Sequence, residues 1–179
     1  MAVVPSTWRC QEILASPSES VESYNDCFVR LGKYLAESNV RMDIHAMYAN
    51  ACQHLGIEQG LLAGPLCSNE PVLCLSRCYI SKLHVLALAV TLPLRIWTTS
   101  IVVGAQRIES TGLQILLASI ACLPLLSSVD ISCNPIGSVG IMALVRLALQ
   151  CPSLRSVNID GIEVIPSVRR KLEVVLASR

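Results

Sequence analysis

The sequence predicts an α/β fold: a solenoid of about four strand–helix repeats with a parallel sheet, closed by a helical N-terminal cap. Three observations carry this expectation. Apolar residues recur in register every 28 residues from about residue 70 onward. Within each unit their spacing changes from alternate positions to steps of three and four. Glycine and proline fall at matching places in successive units, as at Gly112 and Gly140 or Pro124 and Pro152. Alternation puts side chains on one face of a strand, and steps of three and four put them on one face of a helix. A fixed period of this length marks an architecture in which each unit closes its apolar face by stacking on a neighbour.

The clearest unit begins at Leu126 and continues through Val129, Ile131, Asn134 and Ile136. Val129 and Ile131 point to one face of a short strand, and Asn134 can bond backbone groups exposed where that strand turns away. Gly137 and Gly140 allow a tight turn into a helix whose Leu144 and Ala148 share its inner face, and Pro152 follows that helix. One period on, Leu154, Val157, Ile159, Val164, Leu172 and Leu176 occupy the equivalent apolar positions. Ile162 stands where the asparagine was, and Arg169, Arg170, Lys171 and Glu173 make the last helix a solvated cap. One period back lie Ile101, Val103, Gln106, Ile108, Gly112, Leu116 and Ile120, with Thr98 in place of the first leucine. A further step gives Leu73, Leu75, Cys78, Ile80, Leu88 and Leu92, with Cys78 at the asparagine position.

This pattern resembles the leucine-rich repeats of the ribonuclease-inhibitor subclass. The likeness lies in the unit length of 28, the turn from Asn134 to Gly140, and a full helix in each unit. It covers roughly residues 70–179 and implies a right-handed solenoid with its sheet on the concave side and its helices on the convex side.

Residues 1–17 hold two prolines and little periodicity, and read as an irregular arm. Residues 18–69 read as the helical cap, and 70–179 as the repeat domain. Val21, Tyr24, Phe28, Leu31 and Leu35 predict an amphipathic helix over 20–37, with Ser18 or Ser20 as its N-cap. Val40, Ile44, Met47, Ala51 and Leu55 predict a second over about 40–55, stopped by Gly56. Both stripes are read as core that seals the open N-terminal edge of the solenoid. The stretch Tyr48 to Leu66, followed by Leu73 and Leu75, is similar to a segment of leucine-rich repeat proteins of cilia and flagella. There a tyrosine, a cysteine four residues on and a leucine-glycine-hydrophobe run precede the first repeat; here these are Tyr48, Cys52, Leu55, Gly56 and Ile57.

Composition narrows the function. Fourteen Lys and Arg against thirteen Asp and Glu leave a net charge of +1, so no electrostatic footprint for nucleic acid or an anionic membrane surface exists. Charged residues are 15% of the chain and hydrophobic ones 53%, against about 25% charged in ordinary domains, which points to surface hidden within a complex. The apolar stretch from Leu83 to Val103 has Arg95 as its one permanent charge. His84, Pro93 and the hydroxyls of Thr98, Thr99 and Ser100 interrupt it, and the repeat register accounts for its large apolar residues. It is therefore read as repeat rather than membrane span. Nine cysteines, an odd number without the spacing of a disulfide framework, and an N-terminus without a signal-like apolar core predict reduced thiols and an intracellular location.

Candidate chemistry fits this frame poorly. Cys67, Cys74, Cys78 and His84 offer no C-x-x-C pair to nucleate a tetrahedral zinc site. Cys52 has His45 and His54 nearby in sequence, but helical residues two or seven apart do not meet as a thiol and its base. Gly137 and Gly140 lack the sequence context of a phosphate loop. No catalysis, cofactor or metal is expected. Activators of a small nuclear GTPase share the repeat subclass and use an arginine on the solenoid; Arg77, Arg95 and Arg107 lie near repeat turns here and are read as solvated surface side chains. Ser16, Ser18 and Ser20 offer phosphorylation sites and read as linker and helix cap.

The expected function is a non-enzymatic protein–protein interaction module, a structural subunit of a large intracellular assembly in the cytoplasm or cytoskeleton. The resemblance implies the flagellar or ciliary axoneme, with axonemal or microtubule-associated proteins as partners. The alternative is a regulator of an enzyme, either a GTPase activator or a ribonuclease-inhibitor-like blocker. Partner contacts are expected at Arg77, Asp130, Arg155, Asn158 and Asp160, which flank inward strand residues on the strand side. Trp8, a large aromatic in a polar arm, either anchors an interface or folds back onto the first helices.

Overall fold

The computed structural model describes residues 19–37 and 43–178; Trp8, the arm, Ser16, Ser18 and Val40 lie outside them. In chain order the elements are α1 (Glu19–Glu37), α2 (Ile44–Leu55), a 3-10 turn (Gly60–Leu62), α3 (Ala63–Cys67), β1 (Val72–Cys74), α4 (Lys82–Thr91), a 3-10 turn (Leu92–Leu94), β2 (Ser100–Val102), α5 (Ser110–Ile120), β3 (Ser128–Asp130), α6 (Gly137–Gln150), β4 (Ser156–Asn158) and α7 (Pro166–Ala177). The result is an α/β structure with a four-stranded parallel sheet in the order β1-β2-β3-β4. Each parallel step needs a crossover, and a helix supplies it.

The sequence period is the sheet register. Leu73 pairs with Ile101, Ile101 with Val129 and Val129 with Val157, each 28 residues apart. Leu73, Ile101 and Val129 are buried. Val157, expected to be buried, is only half-buried, because β4 is the edge strand of the described sheet. On the helices Leu88, Leu116, Leu144 and Leu172 recur at the same period, and all four are buried in one continuous apolar core that runs from Phe28 to Leu172. Alternating strand residues and one helical stripe thus face each other, as the two periodicities require. No described helix is long and apolar enough to cross a membrane, and residues 83–103 are divided among α4, a 3-10 turn and β2.

Asn134 does what its position predicts. Its side-chain Nδ2 donates to the carbonyls of Ile131 (2.8 Å) and Val103 (2.9 Å), and its Oδ1 accepts from the backbone N–H of Ile108 (2.9 Å) and Gln106 (3.1 Å). One buried amide therefore satisfies its own turn and the preceding one. Gln106, one unit earlier, reaches Ser76 O at 2.6 Å, while Cys78 donates to Leu61 O at 3.6 Å and Ile162 packs into the core.

The N-terminal segments follow the same logic. Phe28, Leu31 and Leu35 of α1 are buried, as are Ile44, Met47, Tyr48, Ala51 and Cys52 of α2. α2 starts at Ile44 rather than near Val40, because Asp43 caps it by accepting from Ala46 N. Gly56 ends it in the left-handed region, at φ 65°, where glycine carries no Cβ penalty. Tyr34 of α1 stacks on His54 of α2, with ring centroids 4.1 Å apart. The turn Gly60–Leu62 and α3 are too short to show a period, and they carry Leu62 and Leu66 into the core.

Candidate partner-binding surface

Parallel pairing lines up the outward side chains of the sheet in two rows: Val72, Ser100, Ser128 and Ser156, then Cys74, Val102, Asp130 and Asn158. Neighbours in these rows bond to one another. Ser128 Oγ donates to Ser100 Oγ at 2.7 Å, and Asn158 Nδ2 donates to Asp130 Oδ2 at 3.1 Å. Two residues further along β3 and β4 the same turn repeats, with Asp130 Oδ1 accepting from Ser132 N at 2.9 Å and Asn158 Oδ1 from Asp160 N at 3.0 Å. Partial burial works against the charged form of Asp130, but the hydrogen bonds from Ser132 and Asn158 outweigh it and hold its carboxyl below the usual value.

The structure brings together Asp130, Asn158 and Asp160 of the residues singled out from sequence. Arg77 is exposed on the turn after β1, at the far edge of the sheet. Arg155 is exposed just before β4, where its Nη1 donates to Pro152 O at 3.0 Å, so it lies at the opposite end of the strand from Asp160. Beyond the strands the turns stay stacked, with Ala105 N bonding Ser132 O and Cys133 N bonding Asp160 O, both at 2.8 Å. On this rim Tyr79 is 83% exposed, and Arg107 and Glu163 are also exposed. Tyr79 and Glu163 escaped the sequence reading; stepping the 28-residue register along the turn residues, rather than along the apolar ones, places them in one row.

The thiols, histidines and arginines go separate ways. Cys74 is exposed, and its hydrogen bond to Ser76, helped by the Arg77 guanidinium, holds it below the usual thiol value. Cys52 is buried and pushed up by that burial. His84 is committed on both ring nitrogens, Nδ1 to Ser81 Oγ at 2.7 Å and Nε2 to Glu58 O at 2.8 Å. No described cysteine forms a disulfide with another described cysteine, and no group of three or more potential metal ligands occurs among the described residues. Arg95 corrects the expectation of a solvated surface arginine. It is fully buried, donates to the carbonyls of Pro65, Leu66, Ser68 and Glu70, and lies 5.3 Å from the centroid of the Trp97 ring. A side chain so placed holds the fold and is not presented to a partner.

No protein-family model and no curated protein matches this sequence.

Proposed function

We propose that the chain is a leucine-rich repeat module that binds another protein through its strand side, as a structural subunit of a large intracellular assembly. One observation carries the reading: a sheet in strict 28-residue register whose outward rows end in the linked polar set Asp130, Asn158 and Asp160. Short parallel strands backed by helices make an ordered display of side chains with little freedom left to lose on binding. The helices before β1 act as the cap of this solenoid. The axoneme of cilia and flagella as the assembly rests on the likeness of the sequence from Tyr48 to Leu66 alone; in the fold Tyr48 and Cys52 are buried and the Tyr48 hydroxyl donates to Gln59 O at 3.0 Å. That segment thus anchors the start of the repeats.

The test is co-purification of the whole chain from cells with crosslinking, with the contacts mapped by residue. Crosslinks are expected around Asp130 and Asp160, and charge reversal at Arg155 and Asp160 should weaken incorporation while leaving the melting temperature of the isolated chain unchanged. Replacing Trp8 with Ala tests the arm separately. Crosslinks confined to the outer faces of α4 to α7, with normal incorporation of the reversed variant, would refute the strand-side assignment.

A further inference from the structure

The rim at the strand ends is electrically polarised along the row of units. Arg77 and Arg107 stand on the turns of the first two units, with exposed Tyr79 between them in sequence. Asp130, Asp160 and Glu163 belong to the last two. Neither Arg77 nor Arg107 forms an ion pair with these acids, whereas Lys82 and Glu109 neutralise each other at 3.1 Å. Where the two halves meet, the turns also carry the small uncharged residues Ala105 and Cys133, which share a left-handed backbone conformation with Arg107. Three strand spacings separate the ends, roughly 14 Å.

We propose that this rim docks a short charge-segregated segment of a partner protein, acidic where it crosses Arg77 and Arg107 and basic where it crosses Asp130, Asp160 and Glu163. The inference rests on the strand-side reading above and adds the chemistry of the partner. Complementary charge fixes which way the segment lies and suppresses the wrong partners. Size decides between a segment and a second copy. Four strands by about five residues present roughly 300 Å², well below the roughly 800 Å² per partner of a stable interface between folded proteins. Spanning the rim takes about four extended residues.

The probe is a capped fluorescent hexapeptide of two glutamates, two serines and two lysines in that order, compared with an isomer in which glutamate and lysine alternate. Titrated against the full chain at low ionic strength, the segregated peptide should bind about fivefold tighter than its isomer, and the difference should vanish at high salt. Combining Arg77→Glu with Arg107→Glu should remove the preference. Adding Asp160→Lys and Glu163→Lys should restore it, with the peptide reversed. Equal binding of the two isomers, or a preference that survives Arg77→Glu and Arg107→Glu, would overturn the proposal. Concentration-dependent dimers abolished by those same two substitutions would make a second copy the occupant, and would overturn it too. Partner crosslinks at Asp160 that persist in the double variant would remove this inference alone, whereas crosslinks confined to the helices would remove the strand-side reading beneath it.

Discussion

The Nε of Arg95 donates to the Thr98 hydroxyl at 3.2 Å, and both side chains are fully buried. One unit later the same two positions are Leu123 and Leu126, and one unit further Cys151 and Leu154, all buried. The break in the leucine pattern at Thr98 is therefore half of a paired exchange. A buried guanidinium needs acceptors on every N–H, and a leucine at 98 would leave Nε without one. The remaining donors reach the carbonyls of Pro65, Leu66, Ser68 and Glu70, which follow from α3 into the approach to β1. The five-residue α3 is too short to hold itself, and Arg95 ties it to the sheet-forming units.

Replacing Arg95 with Met should cost about 2–4 kcal/mol, because it leaves the carbonyls of Leu66, Ser68 and Glu70 without this donor, the first of them buried and the others partly so. Lys at this position should recover little, since one ammonium cannot reproduce the planar fork that spans four carbonyls. Thr98→Leu should cost less, about 1–3 kcal/mol, as it orphans one donor. Urea unfolding of the three variants checks the order, and an Arg95→Met chain as stable as the parent would refute the role assigned here.

Asn134 makes a second test. Asn134→Leu keeps the branching and number of heavy atoms, though its methyls are bulkier, and leaves the N–H groups of Gln106 and Ile108 and the carbonyls of Val103 and Ile131 without their partner. The expected loss is about 2–4 kcal/mol. Hydrogen exchange should show it locally, with the amides of Gln106 and Ile108, on the turn before α5, losing protection before those of α5 itself. Unchanged exchange at those two amides would mean that the side chain does not couple the units.

Two glycines of one turn should respond differently to alanine. A Cβ at Gly140 would come within 2.5 Å of Ile136 Cβ, while one at Gly137 would meet open space, although φ there is +52°. Gly140→Ala then forces Ile136 or α6 to move, at about 1–3 kcal/mol. Gly137→Ala carries backbone strain of about 1–2 kcal/mol, and Asn should relieve part of it. If Gly137→Ala proves the more damaging by thermal melting, the packing of α6 against Ile136 is misassigned.

These cases mark what a single sequence discloses. The 28-residue step placed Leu73, Ile101, Val129 and Val157 on the strands and the inward leucines at 88, 116, 144 and 172 on the helices, because alternate and three-four spacings report directly on which face is buried. Burial of Arg95 was not legible: a lone cation near a turn is usually solvated, and most of the acceptors that make its interior position tolerable are carbonyls of a distant, aperiodic segment. Val157 fell short of full burial for a reason that lies outside its own repeat, its place on the edge strand of the described sheet. At the candidate site the rule of flanking residues found Asp130, Asn158 and Asp160, but it grouped Arg155 with them, although that side chain sits at the other end of β4. Tyr79 and Glu163 lie on turns where no period-two rule applies.

The link between Asp130 and Asn158 should be visible in the dependence of stability on pH. The hydrogen bonds from Ser132 N and Asn158 Nδ2 favour the carboxylate more than partial burial disfavours it, so the folded value lies below the usual one. A depressed folded value contributes stability that is fully present above the unfolded value, near 3.9 for a free aspartate, and that is lost as pH falls through the folded value. Asp130→Asn keeps a single carbonyl oxygen and is neutral throughout, so it lacks this contribution. At pH 7 the variant should therefore be less stable than the parent, by about 1 kcal/mol or less for a bond this open to solvent. As pH drops below about 4 the parent's advantage should shrink, because its carboxylate takes up a proton and loses acceptor strength. Urea midpoints of both proteins at pH 7 and again in acid measure the effect. A stability gap of the same size at both would show that the carboxylate charge plays no part in holding Asn158 across the sheet.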